Sequence, residues 1–236
     1  MLLASAICSC SEKQPEATEP MITKTEIQVE NGQFTPEIMH RLGKVGDVQV
    51  SPNHAKILYG VTYTSIEQNK GNRELYLMNV DGSENVKITN TPKSESNARW
   101  INDSQIIYMR SGKLYTATIE GSTLKNETEV AGAEGMESFE LSPAGDKLMF
   151  IKSVKAAQKP TDVYADLDKS SGRTYEDLMY RHWDHFVEEV PHTYVASFNG
   201  TQLSGVTDIL AGDKANPETD TKKFELPTLP FGGLEQ

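Results

Sequence analysis

The sequence predicts an all-β chain: a partial β-propeller of about three four-stranded blades, with one helical insertion in the third. The first observation behind this is a repeat. VQVSPNHAKILYG (Val48 to Gly60), ARWINDSQIIYMR (Ala98 to Arg110) and FELSPAGDKLMFI (Phe139 to Ile151) each read as apolar strand, turn, apolar strand. Each is followed by a second matching element, ELYLMNVDG (Glu74 to Gly82), KLYTATIEG (Lys113 to Gly121) and HTYVASFNG (His192 to Gly200). The second observation is spacing. Gly82 and Gly121 lie 39 residues apart, and four strands joined by short hairpins need roughly 40 to 45 residues.

The elements follow in order. Asp81-Gly82, Glu120-Gly121 and Asn199-Gly200 supply the positive φ angles of tight hairpins, and the alternating apolar residues before them fit half-buried strands. Blades are expected at about 45–92, 93–133 and 134–212. Gly121 and Gly200 are 79 residues apart, about twice one blade, so the third blade carries an insertion, placed at 153–191 where the pattern is interrupted. Gly233-Leu234-Glu235-Gln236 resembles Gly135-Met136-Glu137-Ser138, the lead-in to the third blade, so 213–236 reads as the approach to a fourth. Three blades do not close a ring; about four to eight do, because closure removes open edges and open inter-blade faces.

Composition narrows the function classes. With 37% hydrophobic and 24% charged residues the chain is ordinary for a globular protein. A formal net charge of −11 opposes binding to phosphate backbones, so no nucleic-acid partner is expected. Both cysteines, Cys8 and Cys10, lie in the first ten residues, so the body of the chain forms no internal disulfide. Residues 1–10 read as a lipoprotein-type signal remnant, since Ile7-Cys8-Ser9-Cys10 places an aliphatic residue three positions before an acceptor cysteine and a small one directly before it. Cys10 is then the lipidation site, 11–33 is a Glu- and Pro-containing tether and lead-in, and contact with a membrane is expected only through the anchor. The corresponding location is the bacterial cell envelope, as a periplasmic or outer-membrane lipoprotein.

Within the insertion a helix is expected from about Tyr175 to Val190. Thr174 with Asp177 fits a capping box, Pro191 would end the helix, and Met179, Trp183, Phe186, Val187 and Val190 share one helical face. On the polar face, His182 and His185 stand three residues apart, but nothing elsewhere completes a coordination sphere, so no metal and no other cofactor is expected. Glu188 and Glu189 are the candidate binding pair. Two carboxylates held at a helix end can take an ammonium group through charge-assisted hydrogen bonds, against the plainer reading of a solvated acidic pair.

Three segments together resemble the prolyl oligopeptidase family of serine peptidases, in its dipeptidyl peptidase V and acylaminoacyl peptidase branch. They are FTPEIMHRLGKVGDVQVSP (Phe34 to Pro52), the blade repeat with Ser51-Pro52 and Ser142-Pro143, and DLMYRHWDHFVEEVPHTYVA (Asp177 to Ala196), which carries that family's Arg-x-Trp-Asp signature. The resemblance implies an amino-terminal propeller that covers an α/β-hydrolase domain holding a Ser, Asp, His triad with the serine on a G-x-S-x-G elbow. No G-x-S-x-G occurs here, so no catalytic residue is assigned and the triad is expected beyond Gln236. In the dipeptidyl peptidases a propeller insertion holds the substrate's free N-terminus through paired glutamates, a role the resemblance gives to Glu188 and Glu189. The expected partners are short peptides with a free N-terminus and the carboxy-terminal hydrolase domain. The competing expectation is a stand-alone, TolB-like periplasmic binding propeller.

Overall fold

In a computed structural model, residues 21–155, 157–175, 181–182 and 184–210 are described. They form three antiparallel four-stranded sheets that follow one another along the chain. Sheet 1 contains β1 (Lys44–Val50), β2 (Lys56–Ser65), β3 (Lys70–Asn79) and β4 (Val86–Lys87). Sheet 2 contains β5 (Glu95–Trp100), β6 (Gln105–Arg110), β7 (Lys113–Glu120) and β8 (Thr123–Glu129). Sheet 3 is β9 (Ser138–Leu141), β10 (Lys147–Lys155), β13 (Glu189–Phe198) and β14 (Leu203–Asp208), the chain between β10 and β13 carrying a short ribbon of β11 (Arg181–His182) and β12 (His185–Phe186). The hairpin glycines adopt the expected backbone, with φ of 85° at Gly82, 62° at Gly121 and 99° at Gly200.

The repeat is visible in the side chains as well. The second and third strands of each sheet place an aromatic pair directly across from each other: Tyr59 on Tyr76, Tyr108 on Tyr115 and Phe150 on Tyr194, with ring centroids 5.6, 6.0 and 5.3 Å apart.

Sheet 2 is buried on both faces, and β6 shows how two-residue alternation achieves this. Ile106 and Tyr108 enter a core with Leu58, Leu75 and Leu77 of sheet 1, joined by Ala98 and Trp100. Ile107 and Met109 enter a second core with Phe139, Leu148, Phe150, Ala196 and Phe198 of sheet 3. Each fully buried Leu or Ile contributes about 1.5–3 kcal/mol, so the two seams are the main source of cohesion. Ahead of sheet 1, Thr35 caps α1 (Pro36–Arg41) by accepting from the Ile38 N–H at 3.4 Å, and Ile38 is buried. Gly43 then passes so close to β2 that a Cβ would meet Val61 at 2.8 Å and Tyr63 at 2.9 Å.

The insertion departs from expectation. The helix expected over about 175–190 is absent from the described part of that range: Arg181–His182 pairs with His185–Phe186, and Glu189 to Ser197 pairs with β10. Residues 176–180 and 183 lie outside the described residues, so the start of that helix and the Trp183 position are not part of the description. The physical reason is the partner. β10 runs to Lys155, farther than its sequence signal, and offers an unpaired edge to a segment rich in Val, Thr and Tyr, so strand pairing outweighs helical spacing. Val187 and Val190 are buried as the helix would have required, while Phe186 is exposed. Pro191 does not end a helix; it sits within β13 before the pairing with β14 begins at Tyr194, where a missing N–H is tolerated. Among the described residues of the insertion, the helical content is one turn, α2 (Pro160–Val163).

Candidate functional site in the third-sheet insertion

The chain that leaves β10 at Lys155 is tied back to the start of β13 by its backbone. Ala157 N–H donates to the Glu188 carbonyl at 3.3 Å, and Gln158 and Thr174 exchange two hydrogen bonds of 3.1 and 2.9 Å. Between them, α2 starts at Pro160, whose fixed φ suits a first helical position, and Asp162 accepts from the Lys159 N–H at 2.6 Å.

This loop delivers two cations to Glu188. The Arg173 guanidinium approaches Glu188 Oε1 at 2.8 Å through Nε and 2.5 Å through Nη2, and Lys159 Nζ lies 2.7 Å from Oε2. Hydrogen bonds from Lys159 and then Arg173 hold the Glu188 carboxyl below the usual carboxylate range. Lys155 similarly pairs with Asp162 at 2.5 Å. The Arg173 and Arg181 guanidiniums both stand 5.7 Å from the Phe186 ring, which stacks on Tyr175 at 6.3 Å.

The two glutamates therefore differ. Glu188 has both oxygens occupied by cations from its own loop. Glu189 is exposed and opens β13 opposite Lys155. Glu188 is the residue immediately before β13 and Glu189 is the strand's first residue, so the pair stands at the start of a strand rather than at a helix end. Arg173 and Lys159 were not singled out from the sequence; the only signal was a Lys- and Asp-rich loop. His185 Nδ1 lies 3.2 Å from its neighbour Asp184, and among the described residues no three His, Cys, Asp or Glu side chains gather as a metal site. Cys10 lies outside the described residues.

One further pairing resembles part of a catalytic triad. His192 of β13 holds Asp208 of β14 through Nδ1 at 2.7 Å, but its buried Nε2 has no hydrogen-bond partner, so among the described residues no hydroxyl nucleophile stands beside it. Its visible effect is to bind β14 to β13.

No family model matches the chain. Curated relatives do. The chain is 31% identical to dipeptidyl-peptidase 5 of Porphyromonas gingivalis over 205 residues, covering 86% of this chain and 29% of the relative. It is 32% identical to dipeptidyl-peptidase 5 of Porphyromonas endodontalis over 211 residues, covering 87% and 29%. The chain thus spans less than a third of the length of the relatives it matches. Among solved structures, Pyrococcus horikoshii acylaminoacyl peptidase superposes with a TM-score of 0.51 at 16% identity, over 72% of this chain and 25% of that one. An acylaminoacyl peptidase in complex with Z-Gly-Gly-Phe-chloromethyl ketone gives 0.52 at 15% identity, over 72% and 26%. With three consecutive four-stranded sheets, these relatives and this shared fold, the chain is similar to the propeller part of the prolyl oligopeptidase-type peptidases, among them dipeptidyl-peptidase 5 and acylaminoacyl peptidase.

Proposed function

We propose that this chain is the non-catalytic propeller portion of a secreted or lipid-anchored serine exopeptidase of dipeptidyl-peptidase type, in which it gates and binds short peptides. The observation that carries this reading is the alignment of 86% of the chain with a dipeptidyl-peptidase 5. The chemistry of peptide-bond cleavage belongs to a hydrolase domain; the described residues of this chain contribute recognition. The insertion is the candidate element for holding the substrate's free amine, with a division of labour between its glutamates. Glu189 is the exposed carboxylate that meets the ammonium group, and Glu188, locked by Arg173 and Lys159, fixes the loop around it. Cys10 is the proposed attachment point to the bacterial envelope.

The test is made in the complete peptidase carrying this sequence. Glu189→Gln should raise KM for peptides with a free N-terminus by roughly tenfold, the loss of one charge-assisted contact of about 1.5 kcal/mol, while N-acylated peptides change little. Equal effects on free and acylated peptides would remove the amine-binding role. Failure of a Cys10→Ser protein to lose a metabolically incorporated lipid would remove the anchor.

A further inference from the structure

The junction between sheets 1 and 2 contains a buried acidic cluster that peptide recognition does not use. Glu95, the first residue of β5, is fully buried, and Glu74 of β3 is 2% exposed. Glu74 is well provided for: the Thr89 hydroxyl donates to Oε2 at 2.8 Å, the Thr91 N–H to Oε1 at 3.2 Å and Asn72 Nδ2 to Oε1 at 3.3 Å, and Lys87 Nζ lies 3.9 Å away. These contacts fasten residues 89–91, the link between the two sheets, to the face of β3.

Glu95 is not provided for in the same way. Its nearest cation, Arg110 on the paired strand, stays 3.8 Å from Oε1 and is committed to Glu127, which it grips with two bonds of 3.0 and 2.5 Å while Tyr108 also donates to Glu127. Glu95 Oε2 is buried without a hydrogen-bond partner. Oε1 lies 2.7 Å from the Thr91 hydroxyl, but that hydroxyl is also 2.6 Å from the Lys93 carbonyl. A hydroxyl has one proton to give and a carbonyl can only accept. Both short contacts are hydrogen bonds at once only when Glu95 carries the second proton and donates it to Thr91.

From this geometry we propose that Glu95 is a proton-operated latch between sheets 1 and 2: protonated, it closes the link through Thr91, and ionised, it loosens the link. Of the other charged groups on elements packed against β5, Arg73 lies 2.9 Å from Asp47 while its buried Nε and Nη2 make no hydrogen bond, and Arg99 pairs with Glu140 at 2.8 Å. Lys87 serves Glu74, and Lys93 lies on the exposed side of the link. An ionised Glu95 would therefore share its buried surroundings with Glu74, the cation nearest it among the described residues being the shared Arg110 guanidinium at 3.8 Å. Burial, reinforced by the neighbouring Glu74 carboxylate, pushes the Glu95 carboxyl up to about 7. A cavity of about 470 Å³ lined by Thr89, Thr91, Arg110 and Glu127 brings solvent to the edge of the cluster, a route for proton exchange.

The direction of the effect follows from linkage. The folded chain holds a proton on Glu95 that the unfolded chain releases near the ordinary carboxylate range. The stabilisation is fully present below that range and is lost as pH rises through about 7.

The experiment compares thermal melts of the full chain and Glu95→Gln between about pH 5 and pH 8. The amide mimics the protonated acid, so the two should melt together at acid pH. The wild type should then fall behind by about 5 °C or more at the alkaline end. A constant difference across the range overturns the latch. Should Glu95→Gln fail to fold, isotope-edited infrared spectra of the wild type read the proton directly. A protonated buried carboxyl band that disappears near neutrality supports the proposal, and its absence at pH 5.5 overturns it. In Glu127→Gln, which frees Arg110 for Glu95, that band should vanish at lower pH, whereas an unmoved transition would also overturn the assignment.

Discussion

The two seams that hold the sheets together are built on the same backbone repeat but solve their polar problems differently. In the second seam, between sheets 2 and 3, the apolar cluster of Ile107, Leu114, Phe139, Leu148, Phe150 and Phe198 is accompanied by matched polar groups. Arg99 has Glu140, Asn97 Nδ2 donates to the Phe139 carbonyl at 2.7 Å, and Thr116 donates to the Gly200 carbonyl at 3.0 Å. In the first seam, Leu58, Leu75, Leu77, Ile106 and Tyr108 pack as tightly, but one end is closed by two buried carboxylates of which only Glu74 is fully provided for. Apolar volume is the common requirement of a seam, and charge matching is free to vary from one to the next. A consequence is that one seam should respond to pH and the other should not.

The largest effect that tests this comparison comes from cavities. Leu58→Ala in the first seam and Leu148→Ala in the second remove side chains that are both fully buried, and each should cost about 3–4 kcal/mol in chemical denaturation. The Leu148→Ala cost should be the same at acid and alkaline pH. Arg110→Met should cost about 2–3 kcal/mol, because it strands Glu127 and removes the guanidinium 3.8 Å from Glu95. That cost should grow from about pH 5.5 to about pH 8, since the ionised form of Glu95 loses most. A pH-independent loss would mean that Glu95 is already ionised.

Asn97→Ala, in the second seam, should cost about 1 kcal/mol through the bond to the Phe139 carbonyl. The smallest effect on global stability is expected in the insertion. Lys159→Met removes a partly exposed contact to Glu188, so the melt should hardly move, while limited proteolysis within residues 157–175 should speed up several-fold as the loop is released.

The sequence revealed what is local. Two-residue alternation and the turn chemistry of Gly82, Gly121 and Gly200 are written within a few residues of one another, and the sheets follow them. What depended on a distant partner was not legible. Val187 and Val190 suit a helix face or a strand equally, and the choice was made by β10, whose extension to Lys155 has no signal of its own. Glu188 was recognisable as an acidic residue in an insertion, but its neutralisation by Arg173 and Lys159 depends on how the loop folds back. Nothing in the sequence beside Glu74 or Glu95 marks either carboxylate as buried. Only the packing of one sheet on the next seals them from water.

The most direct test of the contrast between the seams is site-resolved amide hydrogen exchange of the full chain at about pH 5.5 and about pH 8, corrected for intrinsic exchange. The account predicts that protection falls at the higher pH for Thr91, Glu95 and their neighbours in the first seam, while β9, β10 and β13 keep theirs. Equal protection at both pH values, or a uniform loss across both seams, would contradict it.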